Sequence, residues 1–297
     1  MKCLLLGGAG FIGSALAQRL VNEDHEITIV DNFSRGHRHR MTVPHGSRFV
    51  VADIAQWDPN VGQSWDWLFC LAGVVGVSNV ERDPFHAWRT NTDVVQAALR
   101  IPTEKTFFAS TSEVYGTPWE YPTPETAMAQ VPDLHLPRAV YAASKLWGEV
   151  GFVHSGRPYV IGRFHNIYGP AMGTDHVIPK FCLQVKNGGS LIVDDPTAIR
   201  SFCYIDDAIE AIMRLMTDTA NVIVNIGNPT EPITMSDLMI RVAQTAGLKR
   251  PAVTFGNRQG FPRRRIPDIT RLTTLTGFTP KIALDEGVRR TWEWYAR

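Results

Sequence analysis

A phenol and an ammonium group four residues apart, in Tyr141-Ala-Ala-Ser-Lys145, would stand on one face of a helix. A phenol has a reference pKa of about 10 and is a poor base at neutral pH. A lysine cation beside it favours the phenolate and draws the group toward a working range. By itself this spacing also describes an ordinary exposed pair. Its weight comes from a second segment, Phe107-Phe108-Ala109-Ser110-Thr111-Ser112-Glu113-Val114-Tyr115-Gly116, where an apolar run ends in hydroxyls and a carboxylate. A hydroxyl such as Thr111 can bridge a substrate oxygen and the phenol. A capped polar strand end is the plainer alternative. Together the two segments suit removal of a proton from a substrate hydroxyl.

Such groups need a scaffold, and the first half of the chain supplies one. Short apolar runs predict strands at 2–6, 27–31, 48–51, 67–71, 106–110 and 159–163. Amphipathic stretches between them predict helices at 11–23, 84–100 and 141–153. This alternation is that of a parallel sheet with crossover helices, an α/β fold of the Rossmann-type, doubly wound kind. Segment 117–138 carries Pro118, Pro122, Pro124, Pro132 and Pro137 and reads as a long irregular loop, a kind often functional. After about Asn166 the rhythm changes. Helices are expected over 178–186, after Asp206 and from Ser236, with strands at 191–193 and 222–225. That is too few strands for a second Rossmann unit. The expectation is a cofactor-binding domain over 1–165 and a smaller substrate-binding domain over 166–297, interleaving left open.

The first strand runs into Gly7-Gly8-Ala9-Gly10-Phe11-Ile12-Gly13, a G-x-G-x-x-G pattern between a predicted strand and a predicted helix. One glycine permits the tight turn, the next admits a pyrophosphate against backbone, and the third lets helix and strand pack closely. The second strand ends in Asp31, at the distance expected of a ribose-binding acid. Its carboxylate suits the adenosine ribose hydroxyls and repels a 2′-phosphate, so NAD is expected over NADP. Nearby Arg35 and Arg38 keep NADP open. Asn32, Asp53 and Ile54, Leu71 and Ala72, and Tyr141 and Lys145 complete the expected cofactor-binding set. Asp53 reads nearly as well as a turn residue.

The totals exclude other classes. In 297 residues, 30 basic side chains against 29 acidic ones leave no net field for nucleic acid or membrane. Cys3, Cys70, Cys182 and Cys203 lack metal-ligand spacing, so no metal is expected. The opening Met-Lys-Cys-Leu-Leu-Leu breaks into glycines too soon for a signal peptide, and no run is long enough to span a bilayer. A cytoplasmic protein is expected.

With Arg163-Phe-His-Asn166-Ile-Tyr-Gly-Pro170, Arg200-Ser-Phe-Cys-Tyr-Ile-Asp-Asp207, Asn225-Ile-Gly-Asn228 and Arg265-Ile-Pro-Asp268-Ile added, the sequence resembles, nearly end to end, the extended short-chain dehydrogenase/reductases of the NAD-dependent nucleotide-sugar epimerase/dehydratase family. The resemblance implies a catalytic triad at Thr111, Tyr141 and Lys145. It implies a nucleotide-diphosphate sugar as substrate, oxidised transiently to a 4-keto sugar, and substrate contacts at Asn166, Arg200 and Arg265. It also implies a homodimer through the helices matching 84–100 and 141–153. Val94, Val95, Ala98 and Leu99 suit either that face or the sheet. Dehydratases of the family typically follow the threonine with Asp and Glu. Here Ser112 and Glu113 keep the possible base and lose the acid, a Thr-Ser-Glu pattern that UDP-glucuronate decarboxylases of the family show. Epimerisation is the leading expectation, with elimination or decarboxylation through Glu113 as the alternative. A net reductase and a non-catalytic dinucleotide-binding regulator stand further off.

Overall fold

The computed structural model describes all residues except 35–45, 60–62, 189, 249–251 and 257–261. Seven parallel strands form one sheet: β1 Lys2–Leu6, β2 Glu26–Asp31, β3 Arg48–Val51, β4 Trp65–Cys70, β5 Thr103–Thr111, β6 Tyr159–Phe164 and β7 Val222–Ile226. Their order is β7-β6-β5-β4-β1-β2-β3, a Rossmann-type arrangement. The chain winds outward from β1 through β2 to β3, then returns to lay β4 on the other side of β1. The carboxyl ends of β1 and β4 therefore flank the switch point, where α/β sheets bind ligands.

The apolar runs form strands because both faces of the sheet are covered. Leu4, Leu5 and Leu6 are completely buried, with Leu5 in one core and Leu4 and Leu6 in the other. On the first face lie α1 (Phe11–Asn22) and, further along the chain, the helix Ile205–Asp218. The other face packs against α3 (Pro84–Arg100), which follows the short α2 (Val77–Arg82), and against α4 (Ala139–Val153). Helix α3 starts where Asp83 accepts a hydrogen bond from the His86 N–H (2.9 Å) and Pro84 takes the first helical position. Val94, Val95 and Ala98 are buried against the sheet, and Leu99 packs beside them.

Strand β7 comes from beyond residue 165 yet pairs with β6, so the two halves of the chain interleave. The rest of the second half builds a cap from α5 (Val177–Lys186), α6 (Ile205–Asp218), α7 (Met235–Thr245), α8 (Thr270–Thr276), α9 (Leu284–Ala296) and short strands. One short sheet aligns Ile199–Arg200 with Arg264–Arg265 in parallel, which sets Arg200 beside Arg265. Buried Asp207 on α6 ties that helix to the segment leading into α9, its carboxylate accepting from the Lys281 and Ile282 N–H groups (2.8–3.0 Å). Helix α7 begins one residue earlier than the sequence suggests, because Thr234 rather than Ser236 caps the Asp237 N–H (3.1 Å). Among the described residues, no helix is long and apolar enough to cross a membrane.

Candidate active site

The glycine loop sits at the carboxyl end of β1 with its geometry dictated by close approach. Gly7 has φ +82°, and a Cβ there would lie 2.6 Å from the Ala72 backbone. Leu71 and Ala72, following β4, both donate their N–H groups to Leu6 O (2.9 Å) and so line the facing bank of the crevice. A Cβ on Gly13 would stand 2.5 Å from Gly7 O, so only glycine lets α1 come this close. Gly10 caps α1 with no side chain hydrogen-bonded to the first turn and no acid within it. The start of the helix, at Phe11, Ile12 and Gly13, thus keeps its positive end for an anion. Asp31 closes the crevice: one carboxylate oxygen accepts from Ala9 N–H and the other from Phe33 N–H (2.9 Å each). Burial raises its pKa, against those hydrogen bonds. The arrangement fits a dinucleotide, with the pyrophosphate at the helix start and ribose hydroxyls at Asp31. Asn32 turns its side chain to Ser34 N–H (3.0 Å). One Asp53 oxygen closes a turn, accepting from Ala55 N–H (3.0 Å), while Ile54 is buried in the second core. Arg35 and Arg38 lie outside the described residues.

Two strands away, α4 carries Tyr141 and Lys145 along β5. The helix lies close because Gly148 meets Phe108, whose ring would stand 2.5 Å from a Cβ there. Lys145 is buried, and its Nζ donates to Ala109 O (2.8 Å), two residues before Thr111. Burial pushes its pKa down to about 8, opposed by Cys70 and Glu149. Its charge stands 5.9 Å from the centre of the Tyr141 ring. Asn91 joins the same corner, donating to Ser144 Oγ (3.1 Å) and accepting from Val74 N–H (2.7 Å). This corner can take a proton from a substrate hydroxyl and keep the resulting phenol and ammonium in register.

Thr111 ends β5, and its hydroxyl accepts from Glu113 N–H (3.2 Å), starting a 3-10 turn over Ser112–Tyr115. Ser112 is buried. Glu113 is held between two guanidinium groups, with Arg265 on one oxygen and Arg138 on the other, each at 3.2 Å. Burial alone would raise its pKa, but Arg265 and Arg138 together outweigh it and hold the carboxyl below its usual range. Arg200 stands by this group, donating to Ile199 O (2.8 Å) and Arg263 O (3.3 Å). Burial, then repulsion from Arg265 and Arg138, pushes its pKa down to about 10. Two cations thus share one carboxylate with a third, Arg200, bonded to backbone nearby, and guanidinium forks suit phosphate or carboxylate oxygens. Asn166 holds a left-handed backbone (φ +44°), and its amide donates to Ser201 O (2.9 Å), next to Arg200. Strain of this kind in a non-glycine residue is common at functional sites.

The structure thus brings Thr111, Ser112, Glu113 and Arg265 to one end of β5, with Arg200 and Asn166 alongside. Sequence reasoning missed Arg138. Its only signal is its place between Pro137 and the start of α4, since nothing local announces a partner at Glu113. Among the described residues no cluster of His, Cys, Asp and Glu could hold a metal ion.

The chain is 32% identical to a UDP-N-acetyl-alpha-D-glucosaminuronate decarboxylase of Bacillus cytotoxicus, over 99% of this chain and 97% of that protein. It is 33% identical to UDP-glucuronic acid decarboxylase 6 of Arabidopsis thaliana, over 97% of this chain and 87% of that one. The structure matches that of a UDP-glucuronic acid 4-epimerase from Bacillus cereus, solved with UDP-glucuronic acid and NAD, with a TM-score of 0.87, 26% identity and 99% of both chains covered. Residues 3–227 match the model of the NAD dependent epimerase/dehydratase family. The chain belongs to that family of nucleotide-sugar enzymes, and NAD is its cofactor.

Proposed function

We propose that the protein removes carbon dioxide from a UDP-linked uronic acid by way of a transient 4-keto sugar. The observation that carries this reading is the Glu113 carboxylate, kept ionised between Arg138 and Arg265 one residue past Ser112. Inversion at C4 needs a hydroxyl, a phenol and a hydride acceptor, and calls for no further ionised carboxylate beside them. The two decarboxylases named above act on UDP-linked uronic acids, and the 4-epimerase structure holds one.

When bound, NAD supplies a reversible two-electron acceptor for the hydrogen on C4. Gly7, Gly10, Phe11, Ile12, Gly13, Asp31, Asn32, Leu71 and Ala72 would hold it, with Asp53 and Ile54 at the adenine edge. Tyr141, kept reactive by the Lys145 charge, takes the proton of the C4 hydroxyl, with Thr111 bridging the two oxygens. The C6 carboxyl then stands β to a ketone. Its C5–C6 bond breaks, the electron pair passes into a C4–C5 enolate, and carbon dioxide leaves. Ser112 and Glu113 hold the water that returns a proton to C5. Reduction at C4 restores the hydroxyl, so the cycle is redox-neutral. Arg200, Arg265 and Asn166 hold the diphosphate and the sugar.

Clean inversion at C4 is the second reading, favoured by the 4-epimerase structure. NMR of UDP-glucuronate turnover in deuterium oxide separates the two. The proposal predicts deuterium at C5 and a product without C6; an inverted sugar with its C5 proton retained would sink it.

The proposal extends to a cofactor-binding part over 1–165 and a substrate-binding part over 166–297, with β7 crossing back. It also includes a homodimer through α3 and α4, whose outer faces expose Phe85, Trp88, Trp147 and Val150. A monomer mass by light scattering at micromolar concentration would remove that part. The four cysteines are free and buried, which suits a reducing, cytoplasmic location.

A further inference from the structure

Asn225 lies on β7, the edge strand of the sheet beside β6, and is completely buried. Its carboxamide has two N–H groups and two acceptor positions, and all four are used. The nitrogen donates to Thr123 O (2.9 Å) and Asp268 O (3.0 Å). The oxygen accepts from the Tyr115 hydroxyl (2.8 Å) and stands 3.1 Å from His165 Nε2. Two carbonyl partners fix which way the amide points. Burial, against that bond to Asn225, lowers the His165 pKa to about 3, so the ring is neutral and carries its proton on Nε2.

Each partner leads to the Glu113–Arg265 pair. Tyr115 ends the same 3-10 turn that begins with Ser112 and Glu113. Asp268 follows Arg265 by three residues. Thr123 binds that second segment a second time, its N–H donating to Ile266 O (2.8 Å) and its carbonyl accepting from Asp268 N–H (2.9 Å). Glu113 and Arg265 lie 152 residues apart, so nothing local sets the distance between them. One amide on the edge strand joins the Tyr115 side chain of the first segment to the Asp268 backbone of the second.

We propose that Asn225 is a positioning residue for the Glu113–Arg265 pair: its carboxamide ties the turn bearing Glu113 to the segment bearing Arg265. This rests on the reading of Glu113 as the group that serves the step after C4 oxidation, with Arg265 as the counter-charge that fixes it. Asn225 touches neither Tyr141 nor Lys145 by hydrogen bond, and Lys145 is placed by its own bond to Ala109 O. Loss of the amide therefore displaces the later steps and spares the first.

The test uses two variants of the NAD-loaded enzyme. Asn225→Asp keeps the shape and the acceptor but removes the paired donation to Thr123 and Asp268. Tyr115→Phe removes a single hydroxyl and keeps the ring that Arg163 covers at 4.8 Å, so it guards against a misfolded first variant. Rapid mixing with UDP-glucuronate reads the appearance of reduced nicotinamide, while product formation reads the whole cycle. The first rate is expected within about twofold of wild type and the second lower by about tenfold. Reduced nicotinamide then accumulates in the steady state. Parallel loss of both rates, or no change in either variant, would overturn the positioning role. A wild type that retains the C6 carboxyl would count against the proposed reaction alone. Positioning is then read as the same ratio of rates with the sugar nucleotide the wild type does turn over.

Discussion

Lys145 and Glu113 are two buried charges in one site, and the protein holds them in opposite ways. Lys145 has a backbone carbonyl for its hydrogen bond and an apolar ring beside it, so burial brings its pKa down to about 8. Glu113 has a guanidinium on each oxygen, which keeps it ionised despite burial. The first group is placed near its own titration, where it can follow the proton on Tyr141. The second is locked, and serves as a fixed charge. Proton transfer and charge placement are thus divided between two corners, α4 and the end of β5.

The comparison can be broken at either corner. Tyr141→Phe removes the proton acceptor itself and should lower turnover by about a thousandfold or more while NAD stays bound. Steady-state rates and the cofactor content of the purified protein check both halves of that statement. Lys145→Met should cost about a hundredfold in turnover yet raise the melting temperature at neutral pH, because an ammonium without a bonded carboxylate leaves the interior. The sign follows from linkage. The folded pKa of about 8 lies below the ordinary 10.5, so the unfolded chain binds more protons between them. The cost of this buried charge is fully present below about pH 8 and is relieved as pH rises toward 10.5. Wild-type stability should therefore gain a contribution across that window which the Met variant lacks.

Glu113→Gln is expected to behave differently. It leaves two largely buried guanidinium groups without their counter-charge and should lower stability by about 3 kcal/mol. C4 oxidation should survive while the return of a proton to C5 slows by about a hundredfold, so reduced nicotinamide builds up. Equal slowing of both would erase the distinction between the corners. The smallest effect is expected at Asp31→Ser, which removes the repulsion of a 2′-phosphate and should shift the preference for NAD over NADP by about tenfold. Binding titrations with the two cofactors measure it.

Legibility followed locality. The glycine loop, Asp31, and the Tyr141–Lys145 pair each sit in a strand or helix whose pattern spans a few residues, and the structure sets them at the carboxyl edge of the sheet. Strand 222–225 was legible as a strand, but its place beside β6 depends on pairing with residues about sixty positions earlier. Arg138 was not legible, since the proline-rich segment before it takes its path from Thr123 and Glu125 bonding to distant backbone. Helix α9 was missed although its signals were present: Asp285 and Glu286 lie in its first turn, and Leu284, Val288, Thr291 and Tyr295 recur at helical spacing.

The most direct test of the central claim follows one carbon atom. UDP-glucuronate labelled at its C6 carboxyl is incubated with NAD-loaded enzyme, and both headspace gas and sugar nucleotide are analysed for the label. The account predicts labelled carbon dioxide in step with an unlabelled pentose product, and loss of both with Tyr141→Phe. A sugar nucleotide that keeps its labelled carboxyl while inverting at C4 would contradict it.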